Sequence, residues 1–382
     1  MIKKVCLGTI VVLFIFGCKN ETEKVKNAEK RRDTNTIDFA TGFTILQNDG
    51  YKILEVKNPW PNAEKSFSYA MVPKYDLLTF NFPENTFDAV IGLPIERLIV
   101  TSTTHIPALE ALGALDKLIG FPDTKYISSL PARERIKKGG IRELGQNNKL
   151  NSEITIALQP ELVVGFAIDN ENSSYGILEK ANIPVVFNGD WVEQSPLGKA
   201  EWIKFFGVLL GKEKQADSIF NSIQKSYTEA KSLAAKAKVI PSVLSGALYK
   251  DVWYLPAGNS WAAQFIKDAN GDYLYQNTDG TGSLSLGLES VLEGGSMADY
   301  WLSPSQFVSY QEMMDSNSHY QQFKAFQNKK VFTFANAKGP TGGLLYYELA
   351  PQRPDLVLKD MIKILHPELL PDYSPYFFTP LQ

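Results

Sequence analysis

Short apolar runs alternate with amphipathic segments along most of the chain. Arg97–Val100, Glu161–Phe166 and Ile183–Phe187 have the composition of buried strands, and segments with apolar residues at helical spacing separate them. The alternation resumes after Pro241 and ends with an amphipathic segment at Asp355–Leu365. Strands that alternate with helices predict mostly parallel sheets, whose ligands bind in the loops at the carboxyl ends of the strands.

The stretch from residue 197 to residue 238 has a continuously helical pattern instead. Its longer part, Lys214–Lys238, contains no proline. Apolar residues recur there at steps of three and four, namely Ala216, Ile219, Phe220, Ile223 and Tyr227. A helix of about 20 residues spans about 30 Å, which is enough to brace two lobes. We therefore predict an α/β fold in which two Rossmann-like lobes, at 91–196 and 239–382, are joined by one long bridging helix. The two comparable halves also suggest an internal structural repeat.

A β-rich extension at 37–90 precedes the first lobe. Tyr51–Val56 alternates between apolar and polar residues, which is typical of a half-buried strand, and Asn58–Pro61 interrupts the pattern with two prolines. The pattern assigns no role to this extension.

The first 36 residues have the layout of an export signal followed by a tether. The apolar run Val5–Phe16 is shorter than the roughly 18 residues that a membrane-spanning helix needs. Ile15–Cys18 resembles the bacterial lipobox, in which residues 1–17 are removed as a signal peptide and the sulfur of Cys18 carries a lipid. The polar segment 18–36 lacks aromatic residues and predicts a flexible tether. We therefore expect an exported protein in the periplasm or cell envelope, anchored to a membrane by its lipid.

The composition argues against several classes of function. The 39 basic and 42 acidic residues leave a net charge of −3, which does not favour nucleic acid as a partner. Cys6 lies in the signal peptide, so Cys18 has no partner for an internal disulfide. The three histidines, His105, His319 and His366, are too few to bind a bare metal ion. Because no G-x-S-x-G, P-loop or C-x-x-C motif occurs either, we expect no metal site and no enzymatic activity.

Four segments resemble the periplasmic binding proteins that deliver cobalamin, iron-siderophore or heme complexes to ABC importers. They are Arg97–His105, Ala111–Gly120, Glu153–Val164 and Leu288–Leu292. The resemblance implies the class III periplasmic binding fold, a monomer, and a partner made of a dimeric ABC permease with ATPase subunits. It also implies a cobalt- or iron-containing chelate as cargo, with no cofactor other than the lipid on Cys18. Whether that chelate is cobalamin, a siderophore or heme stays open.

The resemblance also assigns a role to two glutamates. Glu153 and Glu289 each follow the start of a short predicted helix, one in each half of the chain. Acidic residues favour helix N-termini through the helix dipole, so this position needs no further purpose. In the family that the chain resembles, however, one surface glutamate on each lobe docks into an arginine pocket of the permease. Glu153 and Glu289 match those positions.

The loops at the carboxyl ends of the predicted strands supply candidate ligand-binding residues. These are Thr103, Thr104, His105, Arg142, Phe166, Trp191, Tyr249, Trp253, Lys338 and Tyr346. Aromatic rings offer flat apolar area to a planar ligand, and Arg142 and Lys338 are placed to meet its anionic groups. Ordinary core packing is the alternative for each aromatic residue.

Two other functions remain as alternatives to a substrate-binding lipoprotein of an ABC importer. Chelatases that insert metal into tetrapyrroles have a similar two-lobed architecture with a histidine in the cleft, which gives His105 a catalytic alternative. A lipoprotein that captures its ligand at the cell surface without a permease is the second alternative.

Overall fold

A four-stranded sheet opens the part of the chain that the structure describes. The computed structural model describes residues 35–169 and 173–382, so the predicted signal peptide, Cys18 and nearly all of the tether lie outside the described residues. The strands are β1 (Phe43–Gln47), β2 (Lys52–Val56), β3 (Phe67–Pro73) and β4 (Ala89–Leu93). The first three pair antiparallel and β4 runs parallel to β3. Phe43, Leu54 and Tyr69 from this extension share one apolar core with the lobe that follows.

The N-terminal lobe is built on a five-stranded parallel sheet. The strands of the whole lobe are β5 (Leu98–Val100), β6 (Leu118–Phe121), β7 (Arg142–Glu143), β8 (Gly145–Gln146), β9 (Lys149–Leu150), β10 (Leu162–Gly165) and β11 (Val185–Phe187). Its helices are α1 (His105–Ala111), α2 (Leu130–Lys137), α3 (Ser152–Ala157) and α4 (Ser173–Lys180). The sheet has the order β11-β10-β5-β6-β7, and β8 and β9 form a separate hairpin. Central β5 and β10 are buried along their whole length, which explains their uninterrupted apolar sequence.

Three helices follow, namely α5 (Pro196–Glu201), α6 (Ile203–Leu210) and α7 (Glu213–Ala234). The 22-residue α7 packs against α6 on one side and against a C-terminal helix on the other. Its buried residues divide between two apolar cores. Ala216, Phe220 and Ile223 belong to the core of the N-terminal lobe, whereas Tyr227, Ala230 and Ala234 belong to that of the C-terminal lobe. The predicted bridging helix is therefore confirmed.

The C-terminal lobe contains a second five-stranded sheet. The strands of the whole lobe are β12 (Ser242–Ser245), β13 (Ala247–Tyr249), β14 (Val252–Pro256), β15 (Asp272–Tyr273), β16 (Ser283–Leu286), β17 (Tyr300–Leu302), β18 (Val331–Thr333) and β19 (Thr379–Pro380). Its helices are α8 (Trp261–Asp268), α9 (Leu288–Gly295), α10 (Tyr310–Ser316), α11 (Lys324–Gln327), α12 (Leu345–Leu349) and α13 (Pro354–Leu365). The order is β15-β12-β17-β18-β19, parallel except for β19, while β13, β14 and β16 form an antiparallel sheet beside it.

The two lobes share an architecture but not a strand order. Numbered along the chain, the N-terminal sheet reads 5-4-1-2-3 and the C-terminal sheet reads 2-1-3-4-5. These are the two common orders of doubly wound sheets, so the suggested repeat holds for the layers and not for the topology. The strand order reverses between β5 and β10 in one lobe and between β12 and β17 in the other. Ligand-binding crevices of such sheets lie at these points. No helix of the described residues is long and apolar enough to cross a membrane.

We expect Phe220→Ala to destabilise the protein by about 3 to 5 kcal/mol, because it leaves a cavity where α7 enters the N-terminal core. Lys225→Ala on the same helix is the matched control. The Lys225 side chain is 78% exposed and its ion pair with Glu229 is worth at most a few tenths of a kcal/mol. Urea unfolding followed by circular dichroism measures both variants, and equal losses would contradict the division of α7 between two cores.

Candidate functional site

A cavity of about 660 Å³ lies between the two lobes. Trp191 and Glu193 line it from the N-terminal lobe, Ser260 and Trp261 line it from the C-terminal lobe, and Trp60 lines it from the extension. Its volume lies in the range of pockets that enclose small-molecule ligands. Three indole rings among its lining residues offer the flat apolar area that a planar ligand needs. This interlobe cavity is the candidate site.

A larger cavity of about 1340 Å³ lies between the extension and the N-terminal lobe. Tyr69 and Asp88 line it from the extension, and Tyr175 and Glu179 line it from α4. No residue of the C-terminal lobe contributes to its described lining. Because two lobes that move about a shared helix enclose only what lies between them, the smaller cavity is the better candidate for solute capture.

Local structure fixes the tryptophans of both lobes in the interlobe cavity. Trp191 lies in a short 3-10 helix, Asp190–Val192, that follows β11. The ammonium group of Lys199 donates to the carbonyl oxygens of Asp190 and Trp191, at 2.9 and 3.0 Å. In the other lobe, the Ser260 hydroxyl accepts from the backbone N–H of Ala263 and so begins α8 at Trp261.

Lys199 also connects the two lobes through its charge. Its ammonium group lies 5.0 Å from the centre of the Trp261 ring, in cation–π geometry. Burial lowers the pKa of Lys199 to about 8, against the opposing effect of the acidic Asp190 and Glu193. The cation therefore lies behind the cavity wall, where it orients Trp191 and Trp261.

Of the ten predicted ligand-binding residues, Trp191 lines the interlobe cavity. The Phe166 ring lies 5.6 Å from the Trp191 ring, and its backbone N–H donates to the hydroxyl of Thr101 at the end of β5. Tyr346 is buried one layer further back, where its ring lies 6.0 Å from the Trp261 ring. These residues support the cavity wall from both lobes.

Thr103, Thr104 and His105, which were predicted to bind the ligand from the loop after β5, lead into α1 and do not line the interlobe cavity. The two threonines are half-buried, but His105 is fully buried and its ring packs 5.4 Å from that of Phe206. Burial lowers the pKa of His105 to about 4, although Asp190 and Asn188 oppose the shift. A neutral, fully buried imidazole has no surface to offer a ligand in the cleft.

The remaining four predicted ligand-binding residues do not line the interlobe cavity either. Trp253 is fully buried, with its ring 5.2 Å from that of Trp301 in the core of the C-terminal lobe. Arg142 is exposed in the edge strand β7, Tyr249 is exposed at the end of β13, and Lys338 is exposed before α12. The position of a residue at the carboxyl end of a strand therefore does not indicate whether its side chain lines the interlobe cavity.

The lobes also contact each other directly through Glu348. Its carboxylate lies on α12 and accepts from the backbone N–H groups of Ser128 and Ser129 in the N-terminal lobe, at 2.5 and 2.9 Å. Gly343 makes this approach possible, because a Cβ atom there would lie 2.3 Å from the carbonyl oxygen of Tyr126. Burial raises the pKa of Glu348 to about 7, with the two serine N–H groups opposing and the charge of Glu110 adding to the shift.

Glu153 and Glu289 are exposed in the first turns of α3 and α9. No ion pair of either residue is present within residues 35–169 and 173–382. Each carboxylate is therefore accessible to a partner. The same described ranges contain no group of three His, Cys, Asp or Glu side chains that could hold a metal ion.

Two α/β lobes on one shared helix, with a ligand-sized cavity between them, define a solute-binding protein. The chain belongs to the periplasmic binding protein family, whose profile matches residues 98–337. Members are exported, bind a small solute and work with an ABC permease and its ATPase. The fold is thus the predicted class III type, and family membership confirms that the chain is not an enzyme.

The chain is also similar to individual proteins. An uncharacterised lipoprotein of Methanocaldococcus jannaschii is 27% identical over 300 residues, which cover 76% of this chain and 69% of the relative. A "possible iron-binding (periplasmic solute-binding) protein" of Staphylococcus epidermidis has a TM-score of 0.56 at 19% identity, over 72% of this chain and 99% of its own. The periplasmic heme-binding protein of Vibrio cholerae has a TM-score of 0.52 at 19% identity, over 69% and 99%. At these identities the two structures show the fold.

Sequence reasoning missed Trp60 and Trp261 as lining residues. A local signal existed for each of them, since Trp60 stands between two prolines and Trp261 follows a serine that begins a helix. Neither signal shows that the residue faces a cavity, because that depends on contacts between segments about 200 residues apart.

We expect Glu348→Gln to change how stability depends on pH. Because the pKa of Glu348 is raised from 4.5 to about 7 on folding, the folded protein retains a proton that the unfolded chain releases between these values. The contribution of Glu348 to the free energy of unfolding is therefore complete below pH 4.5. It falls by up to about 3 kcal/mol as the pH rises through 7.

Urea unfolding of the wild type and Glu348→Gln at pH 5 and pH 7.5 measures this effect. His105, with its lowered pKa, acts in the opposite direction between about pH 4 and 6.5 but is present in both proteins, so it cancels in their difference. Glu134→Gln, an exposed glutamate of α2, is the control. A wild-type minus Glu348→Gln difference that is the same at both pH values would contradict the assignment.

Proposed function

We propose that this chain is the substrate-binding lipoprotein of an ABC importer and that it captures a metal chelate in the interlobe cavity. The observation that carries the proposal is the lining of that cavity, to which both lobes and three tryptophans contribute. The lobes approach each other around the ligand, so a filled cavity stabilises one arrangement of the two lobes. The permease then distinguishes a loaded protein from an empty one by the spacing of the lobes.

The chemistry of the cavity supports a planar chelate as the ligand. Trp60, Trp191 and Trp261 provide aromatic faces, and ring stacking favours a macrocycle or an aromatic siderophore. The names of two similar structures support the same class, since one protein is described as iron-binding and the other as heme-binding. The proposed cargo is a cobalt- or iron-containing chelate.

The membrane attachment is part of the same proposal. Lipidation of Cys18 keeps the folded body near the permease, and the polar segment after it gives the body freedom to turn toward its partner. The name of the relative from Methanocaldococcus jannaschii, which describes it as a lipoprotein, supports this part of the proposal. Glu153 and Glu289 then carry one docking contact each, from opposite halves of the chain.

We expect one-to-one binding of at least one chelate when the mature protein is titrated calorimetrically with cyanocobalamin, cobinamide, hemin and ferric siderophores. Trp191→Leu should weaken that binding by roughly tenfold or more, because it removes one of the three aromatic faces that line the cavity. Tyr249→Leu, an exposed aromatic residue outside the cavity, should bind as the wild type does. Failure of every chelate to bind would overturn the proposed function.

We expect the double variant Glu153→Ala, Glu289→Ala to abolish uptake of the bound chelate while its affinity for that chelate is unchanged. Each lost partner of a desolvated charge pair costs about 2 to 5 kcal/mol in docking. Uptake is measured in cells that depend on this protein, and affinity is measured on the purified variant. Glu134→Ala with Glu293→Ala, two exposed glutamates at other positions, is the matched control. Normal uptake by the double variant would favour capture without a permease instead.

A further inference from the structure

We propose that the N-terminal extension forms a fixed third wall of the ligand site and that Lys57 binds an anionic group of the ligand. This inference rests on the proposed function, because it concerns the same interlobe cavity. The extension supplies Thr41, Gly42, Lys57, Asn58 and Trp60 to the lining. All five precede residue 98, where the match to the family profile begins, so the profile itself does not describe this wall.

Two buried carboxylates fix the segment 38–42, which leads into the cavity wall. Glu201 is fully buried, and its carboxylate accepts from the backbone N–H groups of Asp38, Phe39 and Ala40, at 3.0, 2.6 and 2.8 Å. Lys204 neutralises its charge at 2.8 Å. A carboxylate that receives several N–H bonds in a buried site holds its donors firmly, because leaving any of them unpaired is costly.

Glu193 continues this arrangement into the cavity. Its carboxylate accepts from the backbone N–H and the hydroxyl of Thr41, both at 2.9 Å, and from the backbone N–H of Gly42 at 3.1 Å. Gly42 leaves no room for a side chain, since a Cβ atom would lie 2.9 Å from the Trp202 ring. The segment from Asp38 to Gly42 is thus bound to the N-terminal lobe by two glutamates, although it has no regular secondary structure of its own.

The second segment of the wall is held by close packing. The Trp60 ring lies 5.7 Å from that of Phe67 and 5.2 Å from that of Phe187, and only 8% of the Trp60 residue is exposed. Next to it, Pro59 lies against Gly189, where a Cβ atom would lie 2.9 Å from the Pro59 Cα atom. The loop between β2 and β3 therefore presents Trp60 and Lys57 from a fixed position.

The charges of the lining indicate what this wall binds. Lys57 and Glu193 are the charged residues among the described residues that line the cavity. The Glu193 carboxylate is occupied by Thr41 and Gly42, whereas Lys57 is exposed and makes no ion pair within the described ranges. The one uncommitted charge of the cavity is therefore positive. A ligand that combines a flat face with a carboxylate or another anionic group matches it.

The central comparison of the test is between two ligands that differ in their carboxylates. Hemin carries two carboxylates, hemin dimethyl ester carries none, and both have the same macrocycle. Cyanocobalamin, which lacks carboxylates, and a ferric carboxylate siderophore complete the set. We expect the mature wild-type protein to bind the carboxylate-bearing chelates more tightly than the ester or cyanocobalamin.

Lys57→Met should weaken binding of the carboxylate-bearing chelate by roughly ten- to a hundredfold and leave the ester unaffected. Lys57→Arg should restore most of that loss, because it returns the positive charge. Lys65→Met is the matched control, since Lys65 lies on the same extension but lines the other cavity. Lys57 is exposed and unpaired in the described chain, so these variants are expected to fold normally, which thermal unfolding verifies.

The two failures are distinguishable. If no chelate binds the wild type, the proposed function is overturned, and this inference with it. If a chelate binds and Lys57→Met binds it equally well, or if the ester binds as tightly as hemin, the interlobe site stands and the role of Lys57 is overturned. If Lys65→Met weakens binding as much as Lys57→Met, the effect belongs to the general charge of the extension and not to the cavity.

Discussion

The sharing of one helix between two cores is the constraint on which the rest of the structure depends. α7 gives Phe220 to the N-terminal core and Tyr227 to the C-terminal core. Its second half is fixed further, because the Tyr227 hydroxyl and the Lys231 ammonium group both bind Asp268 at 2.7 and 2.8 Å. A hinge made of one packed helix permits small rotations and no wide opening. The interlobe cavity therefore changes shape only by such small rotations, and selectivity depends on the walls that line it.

Those walls consist mostly of loops, and buried carboxylates hold loops in place both at the cavity and elsewhere in the fold. Glu193 and Glu201 bind the segment before β1, Glu348 binds the other lobe, and Asp360 accepts from the backbone N–H groups of Tyr376, Phe377 and Phe378. Each carboxylate replaces the hydrogen-bond partners that a strand or helix would provide. Burial carries a cost, since desolvation raises the pKa of Glu348 and of Asp360. A segment without secondary structure thus becomes as well positioned as a strand.

The parts of the fold that were predicted are those that local patterns determine. Apolar runs and helical spacing identified β5, β10, β11 and α7, because periodicity along the chain reflects burial on one side. The strand orders could not be predicted, since they depend on which distant strands pair. Trp191 follows β11 and lines the interlobe cavity, whereas Trp253, which the sequence placed in an equivalent loop, is buried. Alternation along β14 directs Trp253 inward and Tyr254 outward, and sequence alone does not tell which face meets the core. Trp60 was missed because its cavity forms only when the extension packs on the N-terminal lobe and the C-terminal lobe lies opposite.

The position of the extension limits how far the identity of the ligand can be inferred from one member of the family to another. The family profile covers residues 98–337, yet the cavity takes part of its lining from residues 41–62. Two proteins with the same two lobes and the same bridging helix therefore present different walls to their ligands when one of them carries such an extension. The cavity has walls from the extension and from both lobes. The wall from the extension is bound to the N-terminal lobe by Glu193 and Glu201. Under the proposed function, groups on that wall meet the ligand before the lobes close, so its charge and shape act on the first encounter and the C-terminal lobe acts on retention.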